Sequence, residues 1–308
     1  MPRAIFAVTI RVGLLRMIKN LDEYSQYLEN RKLSKNTNKA YVADAKAFFE
    51  YLKADIEISK LTSTNIRAYI LELEKNGVSP TTISRKAASV KNYFGYLKSI
   101  GAVEENIAKD IKINISSKRK EPEILSIDEI VATVDFDCGD DPLAFRDRAI
   151  MELIYATGLN ATEITEIKTN ELSLVYKYIN AGKNKRVIPL GGKAVVALSE
   201  YVENYRQKIL EDGQSDCLFV NYAGKKLTRQ GLWKIIKMRS KAAGVDKNVT
   251  PKMLRQSFAV HMADGGVDIY SLSEMLGHSG IAATQAYMNT KKERLQEVYA
   301  KAHPRYFN

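Results

Sequence analysis

The sequence predicts a mainly α protein of two domains, with a small antiparallel β-sheet confined to the second. Three observations predict it. Apolar residues recur at helical spacing in three consecutive segments between positions 34 and 101. Residues 116–123, SSKRKEPE, combine serine, a basic run and a proline without apolar periodicity, the marks of an exposed linker. Behind that linker, strand-like runs flank a turn of glycine and lysine at 175–190, in a stretch that otherwise reads as helical. A chain of 308 residues has room for two cores. The expected organisation is an extension at 1–16, a first domain at 17–115, the linker at 116–123 and a second domain at 124–308.

The first domain opens on residues 34–53, where Tyr41, Ala45, Phe48 and Leu52 share one helical face. Residues 63–76 form the next helix, with Ile66, Ile70 and Leu73 aligned and Gly77 as its stop. A third begins with Ser79 as N-cap and Pro80 at the first helical position, then runs through Ile83, Ala87, Val90, Phe94 and Leu97 to Gly101. Off its apolar stripe stand Arg85, Lys86, Lys91 and Lys98, a face suited to phosphate and equally to solvent. In the second domain, Ser126 and Glu129 have capping-box spacing, and residues 142–157 form a helix ending at Gly158. The runs 175–180 and 186–190 read as a hairpin, and 218–221 with 225–227 as a second, shorter one.

Composition narrows the function classes. No run of about 18 apolar residues is available to cross a bilayer, so no membrane role is expected. Cys138 and Cys217 are too few for a disulfide framework, which points to a reducing, cytoplasmic setting. With only His261, His278 and His303 beside them, a histidine-rich metal centre is not expected. The net charge of +11 is uneven: residues 1–120 hold 22 Lys/Arg against 12 Asp/Glu, the remainder 25 against 24. An excess of that kind in the first domain suits a polyanionic partner. Residues 1–16 lack a signal-peptide cleavage pattern and read as an upstream extension or tail.

Near the end of the chain the chemistry concentrates. Thr250 and Pro251 open a helix on which Lys252 and Arg255, three apart, project together near its positive N-terminus, a geometry suited to a phosphate. In the stretch LGHSGIAATQAYM that follows, Gly277 ends a helix, His278 sits in the turn and Tyr287 comes nine residues later. Any one of these residues is commonplace alone. Together, K-x-x-R, then L-G-H, then tyrosine nine positions on resemble the signature of the tyrosine recombinases, the phage-integrase-like family. The turn Gly182-Lys183-Asn184-Lys185 resembles that family's active-site lysine loop, and YATGLNATEI at 155–164 resembles the motif that opens its site. The resemblance covers nearly the whole chain from residue 17.

The resemblance implies a fold and a reaction. In front it implies a four-helix, SAM-like core-binding domain, and behind it a mostly helical catalytic domain with a small antiparallel sheet, the DNA breaking-rejoining fold. The implied function is site-specific recombination or integration of DNA through a 3'-phosphotyrosyl intermediate, without cofactor or metal. Tyr287 would be the nucleophile. Arg255 and His278 would stabilise the charge developing on the phosphate, Lys183 would protonate the leaving oxygen, and Lys252 would assist proton transfer or bind phosphate. Lys118, Arg119 and Lys120 of the linker would join the basic face of the third helix in holding DNA. The implied partners are double-stranded DNA at specific sites and further copies of the chain, as a tetramer on paired sites.

Two positions depart from the pattern. Where the family reads T-G-L-R, this chain has Thr157-Gly158-Leu159-Asn160, a neutral amide in place of a cation. Asn160 with Glu163 also has the spacing of a helix cap, so local structure would survive while a phosphate ligand is lost. An ungapped match through residues 186–190 would put Ala181, not Lys183, under the family's lysine. The copy would then rely on a substitute cation such as Arg186, or act as a DNA-binding regulator with vestigial chemistry. A type IB topoisomerase-like enzyme is the third reading, which the short helical front domain and the L-G-H-to-tyrosine spacing disfavour.

Overall fold

The computed structural model describes residues 21–31, 33–52, 58–111, 122–182 and 184–288. The chain divides into two compact units, Met1–Lys120 and Glu121–Asn308, a division that falls inside the expected linker. Residues 1–16, Lys118, Arg119, Lys120, Lys183 and the tail 291–308 lie outside the described residues.

The first unit is built on α1 (21–30), α2 (Lys35–Tyr51), α3 (Ser63–Lys75) and α4 (Pro80–Ser99). The starts of α2, α3 and α4 lie within one residue of the sequence expectation, with Ser34 as a cap and not the first helical residue; α1 had no expectation of its own. The Ser34 hydroxyl accepts the Thr37 N–H at 3.0 Å, and Ser79 caps α4 with Pro80 in the first turn, where a missing N–H loses no helical bond. The core is aromatic: Tyr24, Phe48 and Phe94 are fully buried, and Tyr24 meets Tyr93 edge-on at 4.9 Å. One charge is buried with them. Asp44 of α2, 3% exposed, accepts hydrogen bonds from Arg85, Lys86 and Ser89 of α4.

The second unit wraps helices around α6 (Pro142–Thr157). Ala149, Ile150, Leu153 and Ile154 of α6 have no exposed surface, so this helix is core along its length. Of the charges it buries, Asp147 is bonded by Arg146 and Arg239, and Arg146 also donates to the Val220 carbonyl. Around it lie α5 (Ile127–Val134), α7 (Ala161–Glu166), α8 (Gly192–Glu200), α9 (Arg206–Leu210), α10 (Arg229–Ala242), α11 (Pro251–Asp264), α12 (Ile269–Leu276) and α13 (Gln285–Met288). The sheet is three antiparallel strands in the order β1 (Leu172–Ser173), β2 (Tyr178–Ala181), β3 (Arg186–Pro189), with Ile179 opposite Ile188 and both buried.

The sheet differs from the sequence expectation in three places. Val175 and Tyr176 have strand propensity but are 85% and 77% exposed, in the turn between β1 and β2. Lys177 closes that turn with φ +53°, a left-handed conformation incompatible with a continuous strand from 175. Its partner strand β1 is too short to leave an alternating pattern. The second hairpin is reduced to a single bridge, Val220 with Lys226, around a turn in which Asn221 accepts the Ala223 and Lys225 N–H groups. Side-chain capping of the turn takes bonds that a ladder would need.

Two left-handed glycines set up the site. Gly158 (φ +62°) ends α6 and Gly277 (φ +66°) ends α12. A Cβ at Gly158 would lie 2.4 Å from the Phe258 ring of α11, so glycine lets the end of α6 pack directly against that side chain.

Candidate active site

Arg255 stands one turn into α11, whose start is fixed by Thr250 accepting the Met253 N–H at 3.0 Å. Its guanidinium donates to the Gly158 carbonyl and to the Leu276 carbonyl, both at 2.7 Å. These are carbonyls at the C-terminal ends of α6 and α12, the negative poles of both helices. The cation is therefore clamped where two helices converge, and its side chain is only 13% exposed.

The same guanidinium lies 3.1 Å from His278 Nε2. A guanidinium has no acceptor, so Nε2 is the unprotonated nitrogen and Nδ1–H donates to Thr284 Oγ1 at 2.8 Å. Burial pushes the His278 pKa below its ordinary value, and Arg255 and Arg186 push the same way. The imidazole is neutral in the unliganded site. Arg255 itself is lowered by burial and by Arg186, while Glu163 and Tyr287 oppose this.

Tyr287, on α13, stacks on His278 with ring centroids 6.4 Å apart and planes 21° apart. It is half-buried against the cluster of Phe258, Ala259, Leu272 and Leu276. A phenol, an imidazole and a guanidinium thus follow one another across the ends of α11, α12 and α13. Chemically, a phenol in such a place is capable of nucleophilic attack, and the guanidinium donors beside it suit phosphoryl oxygens.

A model of the phage integrase family matches residues 123–294, and one of the phage integrase N-terminal SAM-like domain matches residues 21–101. The chain belongs to the phage integrase family. Among its curated relatives, tyrosine recombinase XerD of Listeria monocytogenes is 36% identical over 285 residues, covering 89% of this chain and 95% of that protein. XerD of Halalkalibacterium halodurans is 33% identical, covering 93% and 98%. The fold is likewise that of the XerH site-specific recombinase, solved with its palindromic difH substrate in a post-cleavage complex. The TM-score is 0.72 at 22% identity, over 94% of this chain and 88% of that one.

Of the integrase-family positions expected from sequence, Arg255, His278 and Tyr287 come together. Lys252 is exposed on α11 in the turn before Arg255. Asn160 is exposed and serves as a cap: its Oδ1 accepts the Thr162 and Glu163 N–H groups at 3.0 and 3.1 Å, and Glu163 returns the contact to the Asn160 N–H at 2.9 Å. Ala181, under the family's lysine in the ungapped match, is buried at the end of β2 and carries no proton to give. Lys183 is outside the described residues, but its neighbour Gly182 (φ +72°) abuts Arg186 and Glu163. In the first unit, Lys91 donates to the Lys109 carbonyl at 2.8 Å, Lys98 is exposed, and Arg85 and Lys86 are committed to Asp44.

Three residues of the site escaped the sequence reading or were given another role. Glu163, read only as a cap, bonds Arg186 at 2.6 Å and lies 3.8 Å from Arg255. Arg186, named only as a possible substitute, donates Nε–H to the Met275 carbonyl at 2.8 Å. Thr284, buried and bonded to His278, carried no signal beyond its place three residues before Tyr287. Among the described residues no group of three or more His, Cys, Asp or Glu is placed to hold a metal, and no helix is long and apolar enough to cross a membrane.

Proposed function

We propose that this chain is a site-specific DNA recombinase that cuts and rejoins duplex strands through Tyr287. The observation that carries the reading is the contiguous series Tyr287, His278, Arg255, with the arginine fixed by two helix-end carbonyls. The Tyr287 oxygen attacks the scissile phosphorus, a P–O bond to tyrosine forms and the P–O5' bond breaks. The phenolic proton passes to solvent or a base, and the departing 5'-oxygen gains a proton, a role suited to Lys183 or Lys252. The phosphotyrosyl bond conserves the energy of the broken linkage, so the 5'-hydroxyl of another strand can reverse the step without ATP. Arg255 offers N–H donors to the non-bridging oxygens. His278 becomes a donor there only after gaining a proton, which the incoming anion favours.

Double-stranded DNA at specific sites, assembly of four copies on paired sites, and action in the cytoplasm belong to the same proposal. The solved XerH complex, a site-specific recombinase bound to its palindromic difH substrate, supports the first of these, and the two unpaired cysteines suit the last. The regulator reading draws on Asn160, which spends its side-chain carbonyl on a helix cap and brings no cation. A duplex selected by the full chain from a randomised pool, nicked beside the scissile phosphate so that the released fragment diffuses away, separates the two. The recombinase leaves a covalent protein–DNA adduct that maps to Tyr287 and disappears in Tyr287→Phe. Selection of a tight site with no adduct sinks the recombinase and leaves the regulator.

A further inference from the structure

We infer that Arg186 supplies the second cationic charge for the scissile phosphate, from β3 of the sheet, as a positioning and electrostatic partner of Arg255; this rests on the recombinase reading. The argument begins with charge. Arg186 and Arg255 are 12% and 13% exposed, and one carboxylate, Glu163, serves both, at 2.6 Å from the first and 3.8 Å from the second. His278 beside them is neutral, so two largely buried cations share one anion. A surplus buried charge is unfavourable unless something pairs with it. The partner that fits is an anion that arrives with the substrate.

The hydrogen bonds of Arg186 say the same. Nε donates to the Met275 carbonyl, and Nη1 to Glu163 and, at 3.4 Å, to the Ala181 carbonyl. Nη2 is buried with no partner among the described residues. Buried guanidinium donors are ordinarily satisfied, so an unclaimed one leaves the charge of Arg186 undercompensated beside the reaction centre. The guanidinium lies against Gly277, where a Cβ would come within 2.8 Å of Cζ, so Arg186 packs directly beneath the backbone that presents His278. Its charge already reaches both His278 and Arg255, whose pKa values it depresses. Asn160, the position from which a cation is missing, meets the same Glu163 through its backbone N–H.

A purely structural strut is the competing role, and charge separates the two. The nicked duplex selected by the full chain is prepared with an ordinary phosphodiester and with a neutral methylphosphonate at the scissile position. Arg186→Gln, which keeps a hydrogen-bonding amide but removes the charge, should form adduct about 10²- to 10³-fold more slowly on the phosphodiester. On the methylphosphonate the deficit should shrink to less than about tenfold, because a neutral centre needs less positive charge. Arg186→Lys should retain more activity than Arg186→Gln, and adding Asn160→Arg to Arg186→Gln should restore at least about tenfold. Circular dichroism and melting temperature establish that each variant is folded. An equal deficit on both duplexes with no rescue by Asn160→Arg assigns Arg186 to structure and overturns the inference, as does a fully active Arg186→Gln. A wild-type chain that forms no adduct on either duplex overturns the recombinase reading and this inference with it.

Discussion

His278 is held neutral by its surroundings, and that has a direction in pH. Its folded pKa lies below the ordinary value because of burial first, then Arg255 and Arg186. His261, bonded to the Tyr155 hydroxyl at 3.0 Å, is lowered by burial as well. A group whose folded pKa is depressed contributes stability that is complete above its unfolded pKa, near 6.5, and is lost as pH falls toward the folded value. Thermal melts should therefore show the melting temperature falling as pH drops below about 6.5, with a shallower fall in His278→Gln. An unchanged slope in that variant would mean that His278 is not buried as a neutral ring. Bound DNA should work against the trend, since a phosphate beside the imidazole favours its charged form. At this scale, Arg255, His278 and Tyr287 were legible because K-x-x-R, then L-G-H with a tyrosine nine positions on, form motifs whose members identify one another. Arg186 and Glu163 were less so, because no motif joins them and strand pairing and a helix cap bring them together only in the fold.

At the scale of elements, the site is made by helix ends more than by helices. Arg255 needs the last carbonyls of α6 and α12, and each helix exposes them by turning left-handed at a glycine. Gly158→Ala tests this. Alanine at φ +62° costs about 1 kcal/mol in backbone strain alone, and its methyl would strike Phe258, whose ring is buried in the cluster behind Tyr287. The expected loss is at least about 2 kcal/mol in denaturant midpoint analysis, with adduct formation falling further because the Arg255 acceptor moves. A stability change below about 0.5 kcal/mol would show that Phe258 yields easily and that the close approach is unimportant. The stops at Gly158 and Gly277 and the caps at Ser79, Ser126 and Thr250 were legible because each is a local transaction with the nearest backbone groups. Strand limits were not. Lys177 in a left-handed turn and the two-residue β1 depend on pairing partners that no local pattern declares.

For the whole molecule, the surplus of positive charge in the first 120 residues separates into cations with different jobs. Lys98 is exposed on α4, whereas Lys86, one face away, is 18% exposed and bonds the buried carboxylate of Asp44 at 3.2 Å. Charge counting treats the two alike, and the fold does not. If the unit tracks phosphates, Lys98→Ala should leave the melting temperature unchanged, weaken binding to any duplex and lower the salt slope of log affinity by about one. Lys86→Ala should instead remove a partner from a carboxylate that water barely reaches, costing about 1–3 kcal/mol of stability. Melting curves and fluorescence anisotropy titrations of the full chain across a salt series resolve the two effects. A Lys98→Ala chain with an unaltered salt slope would remove that residue from the DNA-binding face. A Lys86→Ala chain of wild-type stability would mean that Arg85 and Ser89 alone satisfy Asp44, releasing Lys86 for the phosphate contact that its sequence position suggests.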